Sequence, residues 1–300
     1  MRWIKHGLIF EAQAQAPWMT SHAALPVVDG QRVYFSTRDV QGRSRVGSFD
    51  LDLARRQVLN VSVAPVIDLG PLGCFDDSGV TSSCIVDHDG RKYQFYSGWS
   101  LGVTVPFYLH VGLAISDDGG QTFRKHSRAP LLALSEVDPF LTASPCVLLE
   151  DGLWRMWYVS GTGWELVEGH PRHRYHIKYA ESKDGLHWDR RGVVCIDYQS
   201  THEYSIARPC VVKDGDVYRM WFCHRGASYR IGYAKSRDGI VWQRNDADAG
   251  IDVSPSGWDA DMVAYPFVVD DGGARFMLYN GNGYGKTGVG LAQLERSERP

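Results

Sequence analysis

The chain has 300 residues, a formal net charge of −3 and 44% hydrophobic residues. The near balance of charge argues against a nucleic-acid-binding surface spread over the whole protein, which needs a basic excess, although it leaves room for a local basic patch. No apolar run approaches the roughly 18 residues of a membrane span, so we expect no membrane-spanning segment.

The N-terminal segment, residues 1–10, contains an apolar stretch that is too short for a signal peptide. We therefore expect a cytoplasmic protein. Residues 3–10 also have the character of a β-strand.

The six cysteines form no CxxC pair, so the zinc-ribbon pattern is missing. Without a signal peptide, disulfides are not expected, and small buried thiols are the simplest interpretation. The cysteines are Cys74, Cys84, Cys146, Cys195, Cys210 and Cys223.

A strand motif recurs along the chain at nearly regular intervals. Its copies are Pro26-Val27-Val28, Ser83-Cys84-Ile85, Pro145-Cys146-Val147, Pro209-Cys210-Val211 and Pro266-Phe267-Val268. The intervals are 57, 62, 64 and 57 residues, with a mean of 60, so 300 residues correspond to five units. Periods of 20 to 50 residues or slightly more are typical of propellers and other repeat folds.

Each unit continues in the same order, in the pattern strand, turn, strand, loop, strand, turn, strand. The first turn contains an Asp-Gly pair, a strong hairpin signal between apolar runs. The second strand is exemplified by residues 154–158 and 218–222, and the later turns by Ser-x-Asp-Gly sequences at Ser116, Ser182 and Ser236. We expect these Ser-x-Asp turns to be structural, because Ser and Asp cap turns.

The sequence therefore predicts an all-β protein, a five-bladed β-propeller of four-stranded antiparallel blades, as one domain over residues 1–300. A β-sandwich is the alternative, but it does not explain the period. The fifth unit lacks a fourth strand. We expect the N-terminal strand to supply it and to close the ring.

Strand direction alternates within a blade, so the start of the first strand and the loop after the second lie on one face. Carboxylates, amides, cations and aromatic rings gather in those segments, as sugar sites require. We expect Glu203 to act as a general acid and Asp261 or Asp77 as a base. The expected substrate-binding residues are His22, Asp76, Trp99, Trp164, Arg208, His224, Arg225, Trp258, Asp259, Asn280, Asn282, Tyr284 and Lys286.

Structural roles remain open for several of these residues. Asp76, Asp77 and Asp259 each fit a turn cap. Arg208 fits either an inter-blade salt bridge or an anion ligand, and residues 170–176 are expected to form a solvated loop. No metal motif is evident, although a cation in the channel centre stays open, and no cofactor is expected.

The Ser-x-Asp-Gly-x-x-Trp turns and the Pro-x-Val strands of these repeats are similar to those of a known superfamily. It is the five-bladed propeller superfamily of arabinanases, β-xylosidases, levansucrases, invertases and mannoside phosphorylases. Residues 206–212, 257–259 and 279–288 resemble glycosidase-like proteins linked with bacterial polysaccharide or sugar-nucleotide pathways. The resemblance implies a pocket for a sugar and two catalytic carboxylates. The hydrolases carry Asp before the proline of blade one and Glu near that of blade three, where this sequence has Leu25 and Ala143-Ser144.

The first of the following three functions, a carbohydrate-active enzyme similar to glycoside hydrolases, is the one that we expect, and the other two remain open as alternatives. One is an enzyme that uses carboxylate acid/base chemistry on a sugar or glycoside. Another is a non-catalytic carbohydrate-binding propeller, favoured by the missing Asp and Glu. A third is an enzyme acting on a phosphosugar or nucleotide sugar in polysaccharide biosynthesis, because Arg and Lys lie near the mouth.

Overall fold

The computed structural model describes residues 1–12 and 14–295, and that part of the chain is built almost entirely of β-strands. Two short 3-10 helices, Asp246–Ala249 and Gly283–Gly285, are the only helical elements in the described ranges. No helix there combines the length and apolar character needed to cross a membrane. The prediction of an all-β protein is confirmed.

The N-terminal half forms two antiparallel units after an initial strand, β1 (Trp3–Phe10). The first unit consists of β2 (Ser21–Asp29), β3 (Arg32–Arg38), β4 (Ser44–Asp52) and β5 (Gln57–Leu59). The second unit consists of β6 (Gly79–His88), β7 (Arg91–Leu101), β8 (Phe107–Ser116) and β9 (Arg124–Lys125). A parallel pairing of β4 with β6 joins the two units into one sheet.

The next two units share a second sheet, joined by a parallel pairing of β12 with β15. The third unit consists of β10 (Thr142–Glu150), β11 (Leu153–Val167), β12 (His170–Ser182), β13 (Trp188–Asp189) and β14 (Val194–Ile196). The fourth unit consists of β15 (Ser205–Asp214), β16 (Val217–Arg225), β17 (Tyr229–Ser236) and β18 (Gln243–Arg244).

The last unit contains strands from both ends of the chain. Its strands are β19 (Ala264–Asp271), β20 (Ala274–Asn280) and β21 (Val289–Leu294), and β1 pairs antiparallel with β21 as the outer strand. The indole of Trp3 is buried against Trp221, at a centroid distance of 5.9 Å, and its N–H donates to the carbonyl of Ala249. The N-terminal strand thus takes the place that the sequence predicts for it.

The first strands of the five units contact one another in succession. β2 contacts β6, β6 contacts β10, β10 contacts β15, β15 contacts β19, and β19 contacts β2. Between neighbouring units lie clusters of buried apolar side chains, such as the one that contains Trp157, Tyr218 and Met220. Many of the aromatic residues therefore serve packing between units.

Each of these first strands is interrupted by a shift of register. In four of them the residue before the proline has a positive φ: Leu25 (55°), Ser144 (46°), Arg208 (54°) and Tyr265 (55°). Left-handed backbone is uncommon for non-glycine residues, and bulges of this kind re-aim a side chain. The bulge at Arg208 sends its side chain from β15 to carbonyls of β2 and β6.

The Asp-Gly hairpins are of two kinds. At Asp89-Gly90 and Asp151-Gly152 both residues have positive φ, between 50° and 77°, as a type I′ turn requires. In the other three units the strand ends on the aspartate and the turn begins one residue later than the sequence predicts.

The Ser-x-Asp-Gly turns have the structural role predicted for them. In each, the serine hydroxyl donates to the aspartate, as from Ser182 to Asp184 at 3.0 Å. The aspartate then accepts backbone N–H groups from residues further along, such as Leu186 and His187, both at 2.8 Å. These bonds hold the pKa of the Asp184 carboxyl below its usual range.

The predicted solvated loop at residues 170–176 is wrong. These residues belong to β12, which pairs with β11 as far as His170 opposite Val167 and makes the longest hairpin of the molecule's described part. Residues 171–175 of this strand are half-buried, and residues 176–180 are buried, so the hairpin is anchored in the protein at its base.

Candidate functional site

An arginine surrounded by tyrosines lies where the fourth unit begins and its second strand ends. Arg225 is the last residue of β16, and its guanidinium carbon lies 5.2, 5.5 and 5.4 Å from the ring centroids of Tyr204, Tyr229 and Tyr284. Cations at these distances from aromatic faces are attracted to them. Within the described ranges, no carboxylate pairs with Arg225, and its buried Nε has no hydrogen-bond acceptor.

Two further rings extend this cluster. Tyr265, the bulge residue of β19, lies 5.9 Å from Tyr229. His173 stacks on Tyr175 at 4.6 Å, and the Tyr175 and Tyr229 hydroxyls are 2.7 Å apart. We call Arg225, Tyr204, Tyr229, Tyr265, Tyr284 and His173 the mouth cluster.

The electrostatics of the mouth cluster keep its histidine neutral. Burial, followed by the positive charges of Arg225 and Arg172, lowers the pKa of His173 to about 4. At neutral pH this imidazole therefore adds no charge.

Tyr284 is the exposed ring of the cluster. It lies in the 3-10 turn between β20 and β21 with φ 60° and ψ 36°, a conformation that is unusual for a bulky residue. The ring is 40% exposed and meets Tyr229 edge-on at 6.1 Å. Strained residues of this kind are common where a ligand is held.

A second group of cations lies around His22 at the start of β2. Burial, followed by the charges of Arg38 and Lys286, lowers the pKa of His22 to about 4. Its Nδ1 lies 2.9 Å from the Ser21 hydroxyl. Neither Arg38 nor Lys286 has an ion-pair partner in the described ranges, and both side chains are exposed.

The buried carboxylates before the first strands are bonded to partners within the protein. Asp138, which precedes β10, accepts from the Tyr158 hydroxyl at 3.0 Å, from the Ser160 hydroxyl at 2.7 Å and from Arg190 at 3.0 Å. Tyr158 and Ser160 lie on β11, whereas Arg190 follows β13 at the outside of the unit. We call this three-part contact of carboxylate, second-strand hydroxyl and outer cation a clamp.

The same clamp recurs in the second and fifth units, and it explains two predicted site residues. The sets are Asp76–Tyr96–Lys125 and Asp259–Tyr279–Lys5. The tyrosine hydroxyls donate at 2.8 and 3.0 Å, and the lysine Nζ atoms lie at 2.6 and 2.7 Å. Asp76 and Asp259 are buried with their acceptors engaged, which favours the structural alternative over sugar binding.

Glu203 takes the clamp position of the fourth unit. Its oxygens accept from Arg244 at 2.7 and 3.0 Å, from His224 Nδ1 at 3.0 Å and from the backbone N–H of Gln199 at 2.7 Å. Burial alone would raise the pKa of Glu203, but the bonds from His224, Arg244 and Gln199 outweigh it and lower the pKa to about 2. A carboxylate held ionised in this way is a poor general acid.

Arg244 also pairs with a second acid, Asp246, which lies close to His224. Its guanidinium lies 2.6 Å from Asp246, and His224 Nε2 lies 3.7 Å from the same carboxylate. The ligand atoms of Glu203, His224 and Asp246 lie within 4.8 Å of one another, a spacing that suits a metal ion. Because the guanidinium already bridges both carboxylates, we assign the group to ion pairing. Glu203 thereby orients the His224 imidazole.

The two other predicted catalytic acids, Asp77 and Asp261, differ in whether their carboxylates already accept hydrogen bonds. Asp77 accepts from the Ser78 hydroxyl at 2.8 Å and from the Gly73 N–H at 2.9 Å, as a turn cap does. Asp261 has an exposed side chain, and among the described residues only its backbone has partners, the Asn282 amide oxygen and Arg230.

The three predicted sugar-binding tryptophans pack within the protein. Trp99 donates to the Ser44 hydroxyl at 2.8 Å, between the first two units. Trp258 lies 5.2 Å from the ring of Tyr279. Trp164 is the nearest to the mouth cluster, at 5.8 Å from His173, and it also contacts Phe107 at 5.3 Å.

The two predicted asparagine ligands hold loops. Asn280 donates to the carbonyls of Ala23 and Gly288, both at 2.7 Å, and accepts from the N–H of Leu25. Asn282 accepts from the N–H of Asp261 at 2.8 Å. These bonds tie the β20–β21 loop to its surroundings and leave the amides little capacity for a ligand.

Within the described ranges, Arg208 does not form the salt bridge between units that is one of its two expected roles. It is fully buried and donates to the carbonyls of Ser82 at 3.2 Å, Ser83 at 2.9 Å and Pro26 at 3.0 Å. The residue thus connects the fourth unit to the first and second through neutral acceptors. This geometry favours a role in holding the units together.

Of the predicted residues, Arg225 and Tyr284 come together, and the sequence interpretation missed most of their partners. Tyr204 and Tyr229 flank Arg225, and Tyr265 contacts Tyr229. One signal was present: Tyr265 precedes Pro266 as Arg208 precedes Pro209, so both occupy the bulge of a first strand. Contacts between aromatic rings of different units cannot be predicted from a single sequence.

Comparison with solved structures identifies the fold. One solved glycoside hydrolase has a TM-score of 0.73 and 16% identity, covering 99% of this chain and 93% of that one. A thermostable family-43 glycoside hydrolase has a TM-score of 0.70 and 16% identity, covering 93% and 91%. An endo-arabinase from Bacteroides thetaiotaomicron VPI-5482 has a TM-score of 0.65 and 13% identity, covering 92% and 95%. The resemblance to glycosidase propellers is thereby confirmed at the level of the fold.

Comparison with curated sequences identifies the family, whereas no family model matches the chain. The uncharacterized protein MT1551 of Mycobacterium tuberculosis (strain CDC 1551 / Oshkosh) is 47% identical over 301 residues, covering 98% of this chain and 100% of that protein. The uncharacterized protein Rv1502 of strain ATCC 25618 / H37Rv is 46% identical with the same coverage. The chain belongs to the family of these two mycobacterial proteins.

Proposed function

We propose that this protein binds a saccharide at the mouth cluster, within a closed five-bladed propeller. The successive contacts of the five first strands, including that of β19 with β2, support the closed ring. The pairing of β1 with β21 supports closure by the N-terminal strand. In such a ring the mouth cluster lies at one end of the central channel.

The observation that carries the proposal is the gathering of tyrosine rings around Arg225. Aromatic faces cover the apolar side of a sugar ring, while hydroxyls and the guanidinium bond its hydroxyls. Tyr284 offers an exposed face, and it contacts Tyr229, whose hydroxyl is bonded to that of Tyr175. The fold shared with glycoside hydrolases agrees with a sugar ligand.

Turnover of the bound glycoside is the second candidate. Of the three acids proposed for catalysis, Asp261 has a side chain without a partner among the described residues, Asp77 caps a turn, and Glu203 bonds Arg244 and His224. Carboxylate chemistry would therefore use Asp261, with Asp77 as its partner. The engagement of Glu203 makes binding the function that the geometry favours over hydrolysis.

Ligand-observed NMR with arabino-oligosaccharides, sucrose and common pyranosides tests saccharide binding. Wild-type protein is expected to bind at least one of them, and Tyr284→Ala is expected to weaken binding about tenfold, as removal of a stacking ring does. Tyr108→Ala is the matched control, because Tyr108 is 41% exposed and Tyr284 is 40% exposed. Binding that Tyr284→Ala leaves unchanged would place the sugar elsewhere.

Turnover assays on the same glycosides separate the two candidates. Release of sugar that Asp261→Asn abolishes, with binding retained, would establish an enzyme. Binding without release, in wild type and in Asp261→Asn alike, would establish a carbohydrate-binding protein.

A further inference from the structure

Three cations of the mouth are left without a paired acid. Arg225, Arg38 and Lys286 have no ion-pair partner in the described ranges. Of the nearby acids, Glu165 pairs with Arg172 and Arg174, and Glu203 pairs with Arg244. Asp261 and Glu168 are exposed, and within the part of the chain that the structure describes neither pairs with these three cations.

Arg225 is held in a way that leaves its charge available. Its guanidinium lies among three tyrosine rings, which hold it by cation–π contacts without neutralising its charge. Its terminal nitrogens have no acceptor within the described ranges, and its Nε is buried without one. A planar fork of donors fixed in this way matches the two oxygens of a phosphate or carboxylate.

The loop between β20 and β21 connects the two cationic groups. Tyr284 contacts Arg225, and Lys286, two residues further along, contributes to the potential at His22. An anion bound beside Tyr284 would therefore lie against Arg225 and within two residues of Lys286 along the same loop. A neutral sugar could use the guanidinium as a hydrogen-bond donor but would leave its charge uncompensated.

We propose that the mouth takes a saccharide carrying an oxyanion, a phosphate or a carboxylate, and that Arg225 binds that group with Lys286 assisting. This inference rests on the proposed function and specifies the class of ligand. Sugar phosphates, nucleotide sugars and uronic acids share the chemistry that the site recognises.

Isothermal titration with a matched series tests the proposal. The probes are glucose, glucose 6-phosphate, UDP-glucose, glucuronate and inorganic phosphate, each at low salt and at about 0.5 M NaCl. We expect at least one charged sugar to bind more than about tenfold more tightly than glucose, with weaker binding at high salt. The charged probes distinguish the two kinds of oxyanion. UDP-glucose and glucose 6-phosphate carry phosphate, and glucuronate carries a carboxylate.

Arg225→Gln and Lys286→Gln are the test variants, and Arg237→Gln and Lys235→Gln are matched controls. The controls are exposed and lie at the opposite end of β17, at its Ser-x-Asp-Gly turn. Arg225→Gln is expected to lower affinity for the charged ligand about tenfold or more, and Lys286→Gln by less, whereas the controls leave it unchanged. Arg225→Lys keeps the positive charge but loses the planar set of guanidinium N–H donors, so an intermediate affinity is expected. Circular dichroism melts verify that each variant is folded.

The outcomes distinguish this inference from the proposed function. A neutral saccharide that binds as tightly as its charged counterparts, with no effect of Arg225→Gln, overturns the oxyanion site and leaves saccharide binding in place. Binding of inorganic phosphate that depends on Arg225, with no saccharide bound, supports the oxyanion site and overturns saccharide binding. Absence of binding by every probe overturns both.

Discussion

Glu203 and Asp261 were predicted to have related roles, but their surroundings differ. Glu203 is buried and accepts hydrogen bonds from His224 and Arg244, whereas the side chain of Asp261 is exposed. At the scale of single residues, partners decide what a carboxylate does, because a bonded carboxylate resists protonation. A sequence shows where an acid lies in the chain but not which hydrogen-bond donors the fold brings to it.

The pH dependence of stability tests the environment of Glu203. The folded pKa of about 2 lies below the ordinary value of 4.5, so its contribution is present above pH 4.5 and is lost as pH falls towards 2. Glu203→Gln is therefore expected to lower the free energy of unfolding by about 3 kcal/mol at pH 7. The difference from wild type should shrink as pH falls from 4.5 to 2, in urea titrations at several pH values.

Asp261→Asn is the control for that measurement. Its side chain is exposed, so the free energy of unfolding should stay within about 0.5 kcal/mol of wild type. A Glu203→Gln protein as stable as wild type at pH 7 would contradict the assignment.

At the scale of elements, the clamps explain why these units keep a buried acid. Asp76, Asp138 and Asp259 each connect the second strand of a unit to its outer edge. In the first and fourth units, the second-strand position that carries the clamp tyrosine elsewhere is occupied by phenylalanine, Phe35 and Phe222. A phenyl ring is therefore tolerated where the acid is absent or has other partners.

Substitutions in the third unit should separate the parts of its clamp. Tyr158→Phe removes one donor and is expected to cost about 1 kcal/mol of unfolding free energy. Asp138→Asn leaves Arg190 and the hydroxyls without their anion and is expected to cost about 3–5 kcal/mol. Equal losses in the two variants, measured by chemical denaturation, would show that the hydroxyl and not the charge holds the unit together.

The N-terminal strand provides a second prediction at this scale. Trp3 is 5% exposed, packs on Trp221 and bonds Ala249, whereas its neighbour Ile4 is 37% exposed. Trp3→Ala should therefore lower the free energy of unfolding by about 3–5 kcal/mol, and Ile4→Ala by much less. Similar melting curves for Trp3→Ala and wild type would mean that β1 is not needed to complete the last unit.

For the whole molecule, Arg208 is the residue that connects three units. Its guanidinium bonds carbonyls of β2 and β6 from its own place on β15, so it orders three of the five first strands. Arg208→Met should leave these carbonyls without donors and destabilise the protein by about 3 kcal/mol. The control is Arg237→Met on the exposed turn, and stability equal to wild type in Arg208→Met would contradict the assignment.

Local chemistry made the strands and many of their turns predictable. Asp-Gly turns, alternating apolar strands and Ser-x-Asp caps depend on neighbours in sequence, and they repeat with the period of the chain. The pairing of residues 3–10 with the last unit followed from the missing strand. The same local rules missed the extended β11–β12 hairpin, because its polar surface is typical of a loop.

What the sequence determined by itself is the all-β architecture and the repeat of its strand motifs. Only the tertiary structure decided which of the predicted site residues are free, because the partners come from elements far apart in the chain. Glu203 meets Arg244, 41 residues away, and Asp259 meets Lys5, 254 residues away, so both are engaged within the fold. Arg225 meets tyrosines and, within the described ranges, no acid, and its unpaired charge moves the candidate site from the carboxylates to the mouth cluster.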